Sequence, residues 1–105
     1  MNNTVNLLID LLNDPTARED ERDDAALDLG DFDDERVLPA LLNFISIKNA
    51  DELLVQSCLD SIAQILTRRD DFDFNIYQKL TGWNKQYVGE YIRNVKPQWS
   101  HLVEI

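Results

Sequence analysis

Carboxylates dominate the chemistry this sequence can offer. Eleven crowd into residues 14–35: Asp14, Glu19, Asp20, Glu21, Asp23, Asp24, Asp28, Asp31, Asp33, Asp34 and Glu35, opposed only by Arg18 and Arg22. Acids at such density serve calcium coordination, acid–base catalysis or recognition of cations. An EF-hand loop needs a spaced Asp-x-Asp-x-Asp-Gly with a later Glu. Neither Asp31-Phe32-Asp33-Asp34-Glu35 nor Asp70-Asp71-Phe72-Asp73 supplies it, so both read as solvated turns and caps between helices. Acid–base catalysis lacks its usual companions, because no second histidine and no glycine-rich loop accompany the acids. The chain therefore reads as a non-enzyme. Cys58 and His101 are the sole residues of their types, which excludes an internal disulfide and leaves too few ligands for a zinc site. No metal or cofactor is expected.

Cation recognition remains. Like charges four residues apart on a helix, such as Asp20 with Asp24 and Asp24 with Asp28, each cost roughly a few tenths of a kcal/mol. A cationic partner would relieve that repulsion. Asp20, Asp23, Asp24, Asp28, Asp31, Asp33, Asp34 and Glu35 are the expected contact set. The plainer reading is a solvated face whose acids suit helix starts; confinement to one segment favours a binding surface. Trp83, Tyr87 and Tyr91 recur every four residues and form a second candidate patch, since aromatics anchor interfaces. Such a stripe also serves core or cap packing. Val88, Ile92 and Val95 compete for the core-facing job, so one of the two stripes should stay partly exposed. Lys79, Lys85, Arg93 and Lys96 make the far end basic. Cys58 sits in an apolar stripe and reads as a small buried hydrophobe, and His101 as a surface residue.

These side chains must be positioned by helices. Apolar residues recur at spacings of three and four, while strand signals are weak. The spacing predicts a helix over 4–13, capped by Thr4 and broken by Asn13-Asp14-Pro15. A second, starting at 16 or 20, runs to 29 with the small face Ala17, Ala25, Ala26 and Leu29. Gly30 stands where a left-handed cap is expected. A third covers 35–47, capped by Asp33 or Asp34, with Pro39 tolerated in its first turn. The fourth, 51–67, carries the widest apolar stripe and should be the most buried. Shorter helices follow over 72–80 and 83–95. The tail 98–105, with Trp99, Leu102, Val103 and Ile105, is expected to fold back on the body.

A chain of 105 residues, 44 % of them apolar, makes one domain. Its net charge of −10 speaks against direct binding of nucleic acid or of anionic membranes and favours a basic protein partner. Met1-Asn2-Asn3-Thr4 lacks the basic and apolar regions of a signal peptide, and no apolar run is long enough to span a bilayer. The expected compartment is the cytoplasm.

Internal periodicity adds a family resemblance. Ala25, Ala26, Leu29 and Gly30 match Cys58, Leu59, Ile62 and Ala63 at an offset of 33 residues, and Val37, Leu41, Leu42 and Ile45 match Phe72, Ile76, Tyr77 and Leu80 at 35. Leu11-Leu12-Asn13-Asp14-Pro15, Ala25-Ala26-Leu27-Asp28-Leu29-Gly30-Asp31 and Val37-Leu38-Pro39-Ala40-Leu41-Leu42 resemble HEAT-like repeats of the phycobilin-lyase type. The resemblance covers residues 8–45. It weakens over 52–80, where Ala63 replaces the glycine and Phe74 the proline, and ends before Gly82. It implies an all-α fold of about three antiparallel helix pairs, stacked as a short solenoid over 1–80 and capped by 81–105. It also implies binding rather than chemistry. In composition the chain is similar to small acidic, helical immunity proteins. The expected function is inhibition of a basic, nuclease-type bacterial toxin. The alternative is a non-inhibitory scaffold or an enzyme accessory module.

Overall fold

Three- and four-residue apolar spacing does end in helices. The computed structural model of the chain describes residues 3–103. Its elements are α1 (Asn3–Leu12), α2 (Glu19–Leu29), α3 (Val37–Ile45), α4 (Glu52–Arg68), α5 (Phe74–Lys79), α6 (Gly82–Val95) and a 3-10 helix (Pro97–Leu102), with no strand among the described residues. The fold is all-α, and no helix among the described residues is long and apolar enough to cross a membrane.

α4 is the spine. Asp51 caps it by accepting from the N–H groups of Leu53 and Leu54. Leu54, Cys58, Leu59, Ile62, Ala63, Ile65 and Leu66 are all buried, because α4 packs against α2, α3 and α6 at once. α1 pairs with α2 and touches α3. Cross-links to α4 join residues 33 to 35 apart, from Asp23–Ser57 and Ala26–Ser61 within α2 to Asp31–Gln64 and Asp33–Arg68 in the segment that follows it. That constant offset means the two helices run parallel, in the register of the internal periodicity. α6 runs the same way beside α4, with Trp83 near Leu53 and the Tyr87 hydroxyl on Asp60. The molecule is a slab, 41 × 33 × 20 Å, whose thinnest dimension is about two helix diameters.

Several ends differ from the sequence expectation. Thr4 lies inside the first turn of α1 instead of capping it, because the helix already includes Asn3. The first C-terminus is closed from outside, by Arg22 Nε donating to the Leu12 carbonyl at 3.0 Å. α3 begins at Val37 rather than 35. Asp34 closes a preceding turn, its carboxylate accepting from the Arg36 N–H and its carbonyl from Val37. The helix stops at Ile45 as Ser46 and Ile47 bond back only three residues, and Asn49 then turns the chain with φ 64°. α5 starts at Phe74 because Asp73 caps it through the Ile76 N–H. Phe72, left outside, meets Trp99 edge-on at 5.5 Å. The tail folds back as expected, burying Trp99 and Val103; Ile105 lies outside the described residues.

Gly30 is right-handed, φ −63° and ψ −18°, not the expected left-handed cap. Its missing side chain serves the α2–α4 seam. A Cβ there would stand 2.8 Å from Ser61 Oγ, which donates to the Ala26 carbonyl at 2.5 Å. Gly30→Ala is therefore expected to cost about 1–3 kcal/mol through overpacking, more than the roughly 0.4–1 kcal/mol gained from restricting the unfolded chain. Urea midpoints would check this, and adding Ser61→Gly should recover part of the loss. The left-handed glycine is Gly82 instead, φ 55° at the start of α6.

Tyr77 is buried, and its hydroxyl has no hydrogen-bond partner among the described residues. A buried unmatched hydroxyl carries a desolvation cost. Tyr77→Phe is accordingly expected to stabilise the protein by about 1 kcal/mol, read as a rise in melting temperature.

Candidate functional site

The acidic segment divides into two environments. In its C-terminal part Asp33 and Asp34 are tied to the chain's own arginines. Arg36 forks onto Asp34, Nε to Oδ1 at 2.8 Å and Nη2 to Oδ2 at 2.6 Å. Arg68 reaches across from the end of α4 to Asp33 Oδ1 at 2.8 Å and to the Gly30 carbonyl at 2.8 Å. At the other end, Arg18 pairs with Asp20 at 2.6 Å, out in solvent. Among the described residues Asp23, Asp24, Asp28, Asp31 and Glu35 hold no ion pair, although Gln64 donates to Asp31 at 3.0 Å. Asp24 and Asp28 are exposed, on the side of α2 away from buried Ala25, Ala26 and Leu29.

Arg36 holds the Asp34 carboxyl at about 2 instead of 3.8, first through its side-chain hydrogen bonds and then through its backbone N–H. A depressed carboxyl contributes stability that is complete above its ordinary range and lost as pH falls through about 2. Melting curves of the wild type and Asp34→Asn should thus separate above pH 4 and converge toward pH 2.

The N-terminal part of α2 belongs to a groove. Glu19, Asp20, Asp23, Leu53, Gln56, Ser57 and Asp60 line it. Leu53 and Gln56 also line a second depression with Glu52, Val55, Trp83 and Asn84, and Trp83 leads to a third with Tyr87, Glu90 and Tyr91. The three are continuous, so the fold joins Asp20 and Asp23 to Trp83, Tyr87 and Tyr91 on one face. Asp33, Asp34 and Glu35 line none of these depressions.

The competition between the two α6 stripes is resolved. Val88 and Ile92 are buried, Val95 is exposed, and the aromatic stripe lies along the groove. Trp83 is 58 % exposed and Leu53 66 %, with the Trp83 ring 5.1 Å from that of Tyr87. Tyr87 is half-buried and its hydroxyl donates to Asp60 Oδ1 at 2.6 Å, while Gln56 donates to the same hydroxyl at 3.3 Å. Burial first, and the Asp60 hydrogen bond second, hold Tyr87 protonated above its usual range.

Asp23 and Asp60 are the half-buried carboxylates of the groove that helix-end rules do not explain. Glu19, Asp20 and Glu52 stand in first helical turns, where the dipole favours acids. Asp23 lies beyond that turn and Asp60 is in mid-helix. Each is held by a hydroxyl, Asp23 by Ser57 and Asp60 by Tyr87, and neither has an ion pair among the described residues. Asp60 and Gln56 carry no signal in the sequence, because their partner Tyr87 stands 27 and 31 residues away, and Leu53 joins them only through the groove that α2 and α6 complete.

Cys58 lies fully buried under the groove, its thiol pushed up to about 12 by burial and by the Asp23 charge. His101 is exposed. Among the described residues no cluster of His, Cys, Asp and Glu is arranged to hold a metal ion. Set against known families, curated proteins and solved structures, the chain matches none.

Proposed function

We propose that this chain is a binding protein and not an enzyme, acting in the cytoplasm as an inhibitor of a basic protein partner. The specific reading is an immunity protein that neutralises a nuclease-type bacterial toxin. Nucleases present basic grooves for phosphates, and a rigid acidic surface can occupy or shield one. The observation that carries the reading is the set of carboxylates that hold no ion pair among the described residues: Asp24 and Asp28 on the exposed side of α2, and Asp23 with Asp60 in the groove. Asp33 and Asp34 move to the margin of the contact set, since Arg68 and Arg36 already neutralise them.

The packing of α1 with α2 and of α3 with α4, and the parallel row α2–α4–α6, support treating the chain as a short HEAT-like array capped by its C-terminal segment. In such an array the row of parallel helices is the surface offered to a partner.

Capture of the partner from source cells tests the function. A protein of net positive charge is expected, bound one-to-one with an affinity that falls steeply with salt, and with its activity blocked in the complex. A neutral or acidic partner, or affinity indifferent to salt, overturns the reading. A basic partner that stays fully active would favour the scaffold alternative.

A further inference from the structure

The groove specifies more than positive charge. Asp23 and Asp60 line one stretch of it, and Leu53 and Gln56 connect that stretch to the exposed Trp83. Both carboxylates are pre-oriented. Ser57 occupies Oδ1 of Asp23 and Tyr87 occupies Oδ1 of Asp60, and no hydrogen bond is made to either Oδ2 among the described residues. Two fixed acceptors lining one depression suit a planar, many-donor cation better than a point charge. A guanidinium presents a planar fork of donors that can bridge two carboxylates, whereas a compact ammonium does so less well.

We infer that this groove receives an arginine from the partner protein, its guanidinium between Asp23 and Asp60, with the apolar residue next to it resting on Leu53 and Trp83. The inference rests on reading the chain as an acidic binder and adds the kind of segment it takes, an arginine flanked by an aliphatic side chain. Charge complementarity selects the occupant. A second copy of this chain would bring its own −10 against these acids.

The probes are a blocked Leu-Arg-Leu peptide and its lysine and citrulline counterparts, titrated at low salt into the full chain and followed by amide and indole NMR shifts. The expected result is a cluster of shifts at Gln56, Asp60 and the Trp83 indole. Arginine should bind about threefold or more tighter than lysine, and citrulline weakest. Asp23→Asn and Asp60→Asn keep the acceptor for Ser57 and Tyr87, so both should melt like the wild type. Each is expected to weaken the arginine peptide about threefold or more. Equal binding of arginine and citrulline, shifts confined to the outer face of α2 around Asp24 and Asp28, or self-association in place of peptide binding would each overturn the arginine seat. Shifts on that outer face would leave the acidic-binder reading standing, whereas failure of any basic protein to bind removes both.

Discussion

Ile62→Ala is expected to lower the unfolding free energy by about 2–5 kcal/mol. Ile62 is fully buried at the middle of α4, the helix that packs against α2, α3 and α6. Truncation there loses apolar burial and leaves a cavity that three neighbouring helices must collapse together to fill. A domain of this size holds about 5–15 kcal/mol in total, so the variant should sit near the edge of folding at 37 °C. Urea titration gives the test: the midpoint should fall while the slope stays constant. A cost below about 1 kcal/mol would mean that α4 is not the spine described above.

The second large effect concerns recognition. Asp24→Lys with Asp28→Lys moves the net charge four units toward zero from −10. Both residues are exposed and without ion pairs among the described residues, and they repel each other and Asp20 at four-residue spacing. The double reversal should therefore leave stability unchanged or slightly raised. Association with a basic partner should slow about tenfold or more at low salt, with the two proteins converging as salt rises. Stopped-flow rates over an ionic-strength series measure it. A change confined to dissociation would instead place these residues in buried charge pairs at the centre of the contact and not on its rim.

Much of the architecture was legible in the chain because it follows from local spacing. The broad stripe from Leu54 to Leu66 announces a buried helix, and α4 is that helix. Asn13-Asp14-Pro15 breaks the first helix where it should. The offset of 33 to 35 residues emerges again in the cross-links from α2 and the segment after it to α4. What stayed hidden depends on side chains far apart in sequence. Gly30 resembles a cap from its neighbours, and only Ser61 across the seam explains why a side chain is excluded. Asp33 looks like a free acid until Arg68 reaches it from 35 residues away. Asp60, a lone carboxylate in mid-helix, gains meaning only when α6 delivers the Tyr87 hydroxyl. The acidic run thus overstates its free charge at one end and understates the site at the other.

A slab 20 Å thick leaves no layer of structure between the face that meets a partner and the interior that keeps the chain folded. Ser57, which holds Asp23, directly precedes buried Cys58, and Asp60 directly follows buried Leu59. Drift in specificity and drift in foldability are therefore coupled along α4. Variants that acquire a new target through this helix should draw on the stability margin, while those altering Asp24 or Asp28 can diversify with little such constraint.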